Sequence, residues 1–160
     1  LAEKIGISEP ALYRHFKNKA EIVRALIVQF EIDPVSMQEE YSGWELLKAF
    51  FAKRVEQVIS EPHWANIIFS EELFIHDSEY SGVIREIMRK NQSMVMENLA
   101  VAMKRGEIRN DIAPEMVFRM TAGSLRLLIK QWGFSGESFD LREQSRILFQ
   151  AWDRIWKMEK

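Results

Sequence analysis

The stretch Ile5-Gly6-Ile7-Ser8-Glu9-Pro10-Ala11-Leu12-Tyr13-Arg14-His15-Phe16-Lys17-Asn18-Lys19 permits few folds, because it reads as two short helices joined by a tight glycine turn. Gly6 supplies the left-handed backbone that ends the first helix, and Ser8 caps the second, whose first turn holds Glu9 and Pro10. Leu12 and Phe16 lie four apart and pack inward with Leu1 and Ile5. Glu9, Pro10, Tyr13 and Arg14 are then left facing outward near the N-terminus of the second helix. A helix that enters the major groove of DNA needs that uncovered face, so the stretch is a helix-turn-helix signature.

The rest of the chain reads as helix throughout, with no strand pattern, repeat or low-complexity segment. Asn18 and Glu21 form a capping box, and Ile22, Val23, Leu26, Ile27 and Phe30 give the helix they open a buried stripe. Residues 33–43, with Pro34, Ser36, Ser42 and Gly43, break the pattern and place a boundary between a head (1–32) and a body (42–160). Ser42 and Glu45 make a second capping box, ahead of Trp44, Leu47, Phe51, Val55 and Val58 on a helix that ends before Pro62. A short buried helix is expected between Pro62 and Ile75. Asp77 or Ser78 caps a longer one that Gly106 stops. From Pro114 to Trp132 apolar groups leave almost no polar face, which predicts burial on more than one side. Asp140 and Glu143 box a last helix carrying Leu141, Leu148, Trp152, Ile155 and Trp156.

Composition supports an all-α chain with a substantial core, since 47% of its 160 residues are hydrophobic. The absence of cysteine excludes disulfides, zinc-thiolate sites and thiol catalysis. No apolar run is long enough to span a bilayer. Net charge is only −2, but Lys4, Arg14, Lys17, Lys19 and Arg24 outnumber Glu3, Glu9 and Glu21. The first 24 residues therefore carry +2 and the remainder −4, a mildly basic head on an acidic body, as suits contact with DNA at one end.

The segments LAEKIGIS, PALYRHFKNK and AEIVRAL resemble the DNA-binding signature of the tetracycline-repressor (TetR) family of bacterial transcription regulators, from Leu1 to about Leu26. The resemblance implies base contacts from Glu9, Pro10, Ala11 and Arg14, and phosphate contacts from Tyr13, His15 and Lys19. Side-chain chemistry agrees, since hydroxyls, ammonium groups and helix N-termini position a protein on phosphates, while short side chains reach base edges. In this family a further helix precedes the motif, so the sequence is expected to be incomplete at its N-terminus, the more so as it starts at Leu1. The family also implies a cytoplasmic homodimer whose last two helices form a four-helix bundle with those of its partner. Ala122-Gly123-Ser124 allows close approach there, and two heads on a twofold axis suit a palindromic operator in double-stranded DNA.

Within the body, Trp64, Ile68, Phe69, Phe74, Met88, Met120 and Leu125 combine aromatic and flexible thioether groups suited to an apolar effector pocket. Glu72, Asn91 and Thr121 are the polar candidates for orienting the effector, and a buried Glu72 favours a cationic or amine-bearing molecule. Glu72 and His76 lie four apart and share a helix face, but two ligands do not make a metal site. Enzyme chemistry is not expected: the histidines are His15, His63 and His76 alone, and no phosphate-binding glycine loop or G-x-S-x-G turn is present. No cofactor is implied. The expectation is a ligand-responsive DNA-binding regulator, a repressor released by a small apolar or amphipathic effector. The alternative is a helical small-molecule or metal-binding module without active DNA binding.

Overall fold

The computed structural model describes Glu21, Ala25, Ile32 and residues 37–62 and 78–158. Among the described residues there are four long helices and no strand: α1 (Gly43–Ser60), α2 (Ser78–Lys104), α3 (Pro114–Phe134) and α4 (Leu141–Trp156). Glu21 and Ala25 are helical, as expected at those positions of the helix opened by Asn18. None of the described helices is long and apolar enough to cross a membrane.

The inward stripe of α1 contains the predicted Trp44, Leu47, Phe51, Val55 and Val58, widened by Leu46 and Phe50. Its N-terminus departs from expectation, because Ser42 makes no side-chain cap bond and the Ser42–Glu45 box does not form. Gly43 adopts φ +59° and turns the chain so that its N–H and that of Trp44 meet the far end of α2 instead. Asn98 Oδ1 accepts from the Gly43 N–H at 3.3 Å, and Glu107 Oε2 accepts from the Trp44 N–H at 2.9 Å. Ser42 Oγ accepts from Arg105 Nη1 at 2.8 Å. A carboxylate 63 residues away thus fills the role assigned to the local serine. A Cβ on residue 43 would collide with that carboxylate.

The other ends are local and follow the sequence. After α2, Gly106 at φ +67° closes a Schellman turn, with its N–H on Met103 O and the Glu107 N–H on Ala102 O. At α4, Asp140 Oδ1 accepts from the Glu143 N–H at 3.0 Å. Glu143 does not complete the reciprocal half of the box, because its carboxylate grips Arg146 at 2.6 and 2.8 Å.

α1 runs antiparallel to α2, as the contacts of Gly43 with Asn98 and of Ser42 with Arg105 require. It also runs antiparallel to α4, fixed at one end by Trp44–Asp153 and at the other by Glu56–Arg142. α3 and α4 pack as a helical hairpin, with α2 against α3. Trp44, Leu46, Leu47, Leu99, Val117 and Trp156 are sealed in the common core, and Ile32 and Met37, from the segment ahead of α1, are buried in it too.

α3 is not buried on more than one side within the chain. Val117, Thr121, Leu125, Ile129 and Trp132 form one inward stripe, whereas Met116, Met120, Leu127 and Phe134 face outward, the last two 56% and 78% exposed. α4 likewise presents Ile147 and Ile155 to the outside.

Candidate functional site

The expected DNA-contacting residues Glu9, Pro10, Ala11, Tyr13, Arg14, His15 and Lys19 lie outside the described residues, as do Trp64, Ile68, Phe69, Glu72, Phe74 and His76 of the body. Of the remaining effector candidates, Met88 lies within α2. Asn91 is half-buried one turn further along that helix, and Thr121 and Leu125 are buried neighbours on the inward stripe of α3. Met120 does not join them. One residue is about 100° of helix, which carries Met120 from the stripe of Thr121 onto the outward face, where it is 50% exposed. The Thr121 hydroxyl is satisfied by its own helix, 2.8 Å from Val117 O and 3.1 Å from Phe118 O. No group of three potential metal ligands occurs among the described residues.

The body's interior is organised around Trp152. Its indole N–H donates to Ser124 Oγ at 3.1 Å, and the Ser124 hydroxyl donates to Thr121 O at 2.9 Å, pinning α4 to α3. Its ring meets Phe51 of α1 edge-on at 5.5 Å and Phe149 at 4.8 Å, geometries that suit aromatic quadrupoles. Next to it, Asp153 accepts from Trp44 Nε1 at 2.6 Å and Lys48 Nζ at 3.0 Å, with Lys157 at 3.4 Å. Burial pushes the Asp153 carboxyl up, but the hydrogen bonds from Trp44 and Lys48 outweigh it and hold the group below the usual aspartate range.

Arg54 is the charge that sequence reading passed over. It sits on the inward side of α1 with its guanidinium 5.7 Å from the centre of the Phe50 ring, and its Nη1 donates to Gln57 Oε1 at 3.1 Å. Burial lowers its pKa to about 10, so it remains a cation at neutral pH. The signal was present in the sequence: Leu47, Phe51, Arg54 and Val58 follow one helical stripe, and a lone arginine interrupts it.

Residues 44–158 match the family described as MAATS-type transcriptional repressor, C-terminal region, and residues 1–26 match the bacterial regulatory proteins of the tetR family. The HTH-type transcriptional regulator TtgR of Pseudomonas putida is 25% identical, over 88% of this chain and 72% of its own. Among solved structures, the transcriptional regulator FadR from Bacillus subtilis, in complex with stearoyl-CoA, is similar with a TM-score of 0.71 at 20% identity. That likeness covers 94% of this chain and 83% of the other. NalD, the secondary repressor of the MexAB-OprM multidrug efflux pump in Pseudomonas aeruginosa, gives 0.64 at 19% identity, covering 99% and 84%. These structural likenesses concern the fold.

Proposed function

The chain belongs to the TetR family of bacterial regulatory proteins, and from that premise we propose that it is a homodimeric repressor which leaves a palindromic operator when a small apolar or amphipathic effector enters its body. The observation that carries this reading is the burial of Ile32 and Met37 in the body's core. The segment leading from the DNA-binding head shares one buried core with Leu125 of the proposed effector site, so rearranging one biases the other. An effector drives release only by binding the DNA-incompetent arrangement more tightly.

The head comprises residues 1–32 and the regulatory body residues 42–160. In the head, Glu9, Pro10, Ala11 and Arg14 read bases while Tyr13, His15 and Lys19 hold phosphates. In the body, the effector contacts Thr121, Leu125, Asn91 and Met88, with Trp64, Ile68, Phe69, Glu72 and Phe74 completing the site. The structural neighbour FadR is in complex with stearoyl-CoA, which lends support to an effector with a large apolar part.

Dimerisation uses the outward faces of α3 and α4. Met116, Met120, Gly123, Leu127 and Phe134 line one face of α3, and Ile147, Ala151 and Ile155 one face of α4. Soluble chains seldom leave such continuous apolar rows to water. Gly123 has open space where a side chain would stand, which favours close helix approach across a twofold axis. The protein acts by binding rather than by catalysis, in the cytoplasm where its operator lies.

A gel-shift assay with DNA from upstream of the protein's own gene tests the reading. A discrete shifted band is expected, lost when an apolar effector is added. Absence of any band at every protein concentration contradicts it and favours a binding module without DNA activity.

A further inference from the structure

We infer that the N-terminus of α1 exchanges between two sets of caps, a remote set supplied by α2 and a local set supplied by Ser42 and Glu45, and that the remote set holds the head for operator binding. The exchange stands on geometry, while its effect on the operator rests on the repressor reading above.

Three consecutive residues at the start of α1 are held by the end of α2 and the turn after it. Ser42 Oγ accepts from Arg105, the Gly43 N–H donates to Asn98, and the Trp44 N–H donates to Glu107. Asn98 is buried, and a second bond, from its Nδ2 to Met94 O at 2.9 Å, aims its amide oxygen at Gly43. Arg105 in turn lies 3.6 Å from the Glu107 carboxylate. Just ahead, Met37 O accepts from the Tyr41 N–H at 2.9 Å, so a single turn joins the buried Met37 to the clamped residues.

The sequence Ser42-Gly43-Trp44-Glu45 also carries all that a local capping box needs. Ser42 already has the extended backbone of an N-cap residue, at φ −148° and ψ 161°, and its C=O accepts the first helical bond from the Leu46 N–H at 3.4 Å. One angle stands between this arrangement and the box. Gly43 at φ +59° presents the N–H groups of residues 43 and 44 to α2, and glycine passes from there to a helical φ without steric penalty. Glu45 is exposed and held by Lys48 and Lys157, surface pairs weak enough in water to give way. In the local arrangement Ser42 Oγ accepts from the first turn of α1 and Glu45 reaches back to the Ser42 N–H. Passing from one set to the other never leaves the helix end bare.

The two sets differ in what they tie together. A helix start that served stability alone has its cap in its own sequence. The remote set instead binds residues 42–44 to α2 and fixes the direction of the segment that runs back to the head. The local set ties them to α1 itself, and operator binding by paired heads then has to restore the lost order. Release of the remote caps therefore weakens the operator complex.

Urea unfolding of the full chain, at one protein concentration, tests the exchange. In Glu107→Ala the serine is the remaining cap, so adding Ser42→Ala should lower the folding constant about fivefold, the usual worth of a helix cap. In the wild-type background Ser42→Ala removes an exposed contact with Arg105 and should change that constant less than about twofold. Equal effects of Ser42→Ala in the two backgrounds overturn the exchange. Fluorescence anisotropy with duplex DNA from upstream of the protein's own gene tests the consequence. Glu107→Ala and Gly43→Ala, which disfavour the remote set by different routes, should each weaken binding about tenfold, within the usual range for coupling between sites, and their combination should weaken it no further. Glu107→Gln keeps an acceptor oxygen for the Trp44 N–H and should bind like the wild type. Glu56→Ala, which cuts the exposed tie to Arg142 at the other end of α1, should leave operator affinity unchanged. Wild-type affinity in both Glu107→Ala and Gly43→Ala, or an equal loss in Glu56→Ala, overturns control of the head by the caps. Absence of DNA binding by the wild type overturns the repressor reading and this consequence with it, and the urea comparison still decides the exchange.

Discussion

Glu107 accepts the N–H of Trp44 from outside α1, and removing it leaves a helix N-terminus without its acceptor. Glu107→Ala should lower unfolding free energy by about 1 kcal/mol, the usual worth of a helix cap, as measured by urea titration. Gly43→Ala should cost at least as much, since φ +59° disfavours any Cβ and the carboxylate occupies the space it needs. Asp153 sets a pH dependence of definite sign. Its folded pKa is depressed, so the stabilisation is complete above the unfolded aspartate value of about 4 and disappears as pH falls through the lower folded value. Acid titration of stability should be flatter for Asp153→Asn than for the wild type in that window. A parallel pair of curves would show that Asp153 does not contribute.

At the scale of elements, the helices were legible wherever their signals are local. Asp140 caps α4 and Gly106 stops α2 because each acts on neighbours a few residues away. The start of α1 was misread because its acceptors come from Asn98 and Glu107, and no local pattern announces a cap supplied across the bundle. Apolar spacing identified α3 and α4 but not which apolar residues face inward. Leu128 and Leu148, natural choices for breaking a dimer, are half-buried in the single chain, whereas Leu127 and Ile147 are exposed. Leu127→Glu and Ile147→Glu should therefore give folded monomers by light scattering, while Leu128→Asp and Leu148→Asp should also destabilise the fold. Folded dimers from both Leu127→Glu and Ile147→Glu would move the interface elsewhere. Inside the body, the candidates Thr121 and Leu125 lie on the inward stripe of α3, which helical spacing marks. Arg54 was legible only through its place among Leu47, Phe51 and Val58, because a single charge in a helix is ordinarily solvated.

At the scale of the whole molecule, the proposed repressor has a head that binds DNA, a core shared with the segment behind that head, and two outward apolar faces through which two chains would pair. Lys19→Ala should weaken binding to all DNA sequences alike and shallow the salt dependence by about one unit of slope, because a phosphate contact releases counterions without reading bases. A loss confined to one operator variant would assign Lys19 to base reading. Pairing of the heads is central to the proposed mechanism, in which an effector changes operator affinity by changing the spacing of two recognition helices. Native mass spectrometry of the protein with a palindromic operator duplex tests it most directly. The account predicts an even number of chains per duplex, with two as the smallest complex, and no complex of a single chain. A stable complex of one chain per duplex would contradict it.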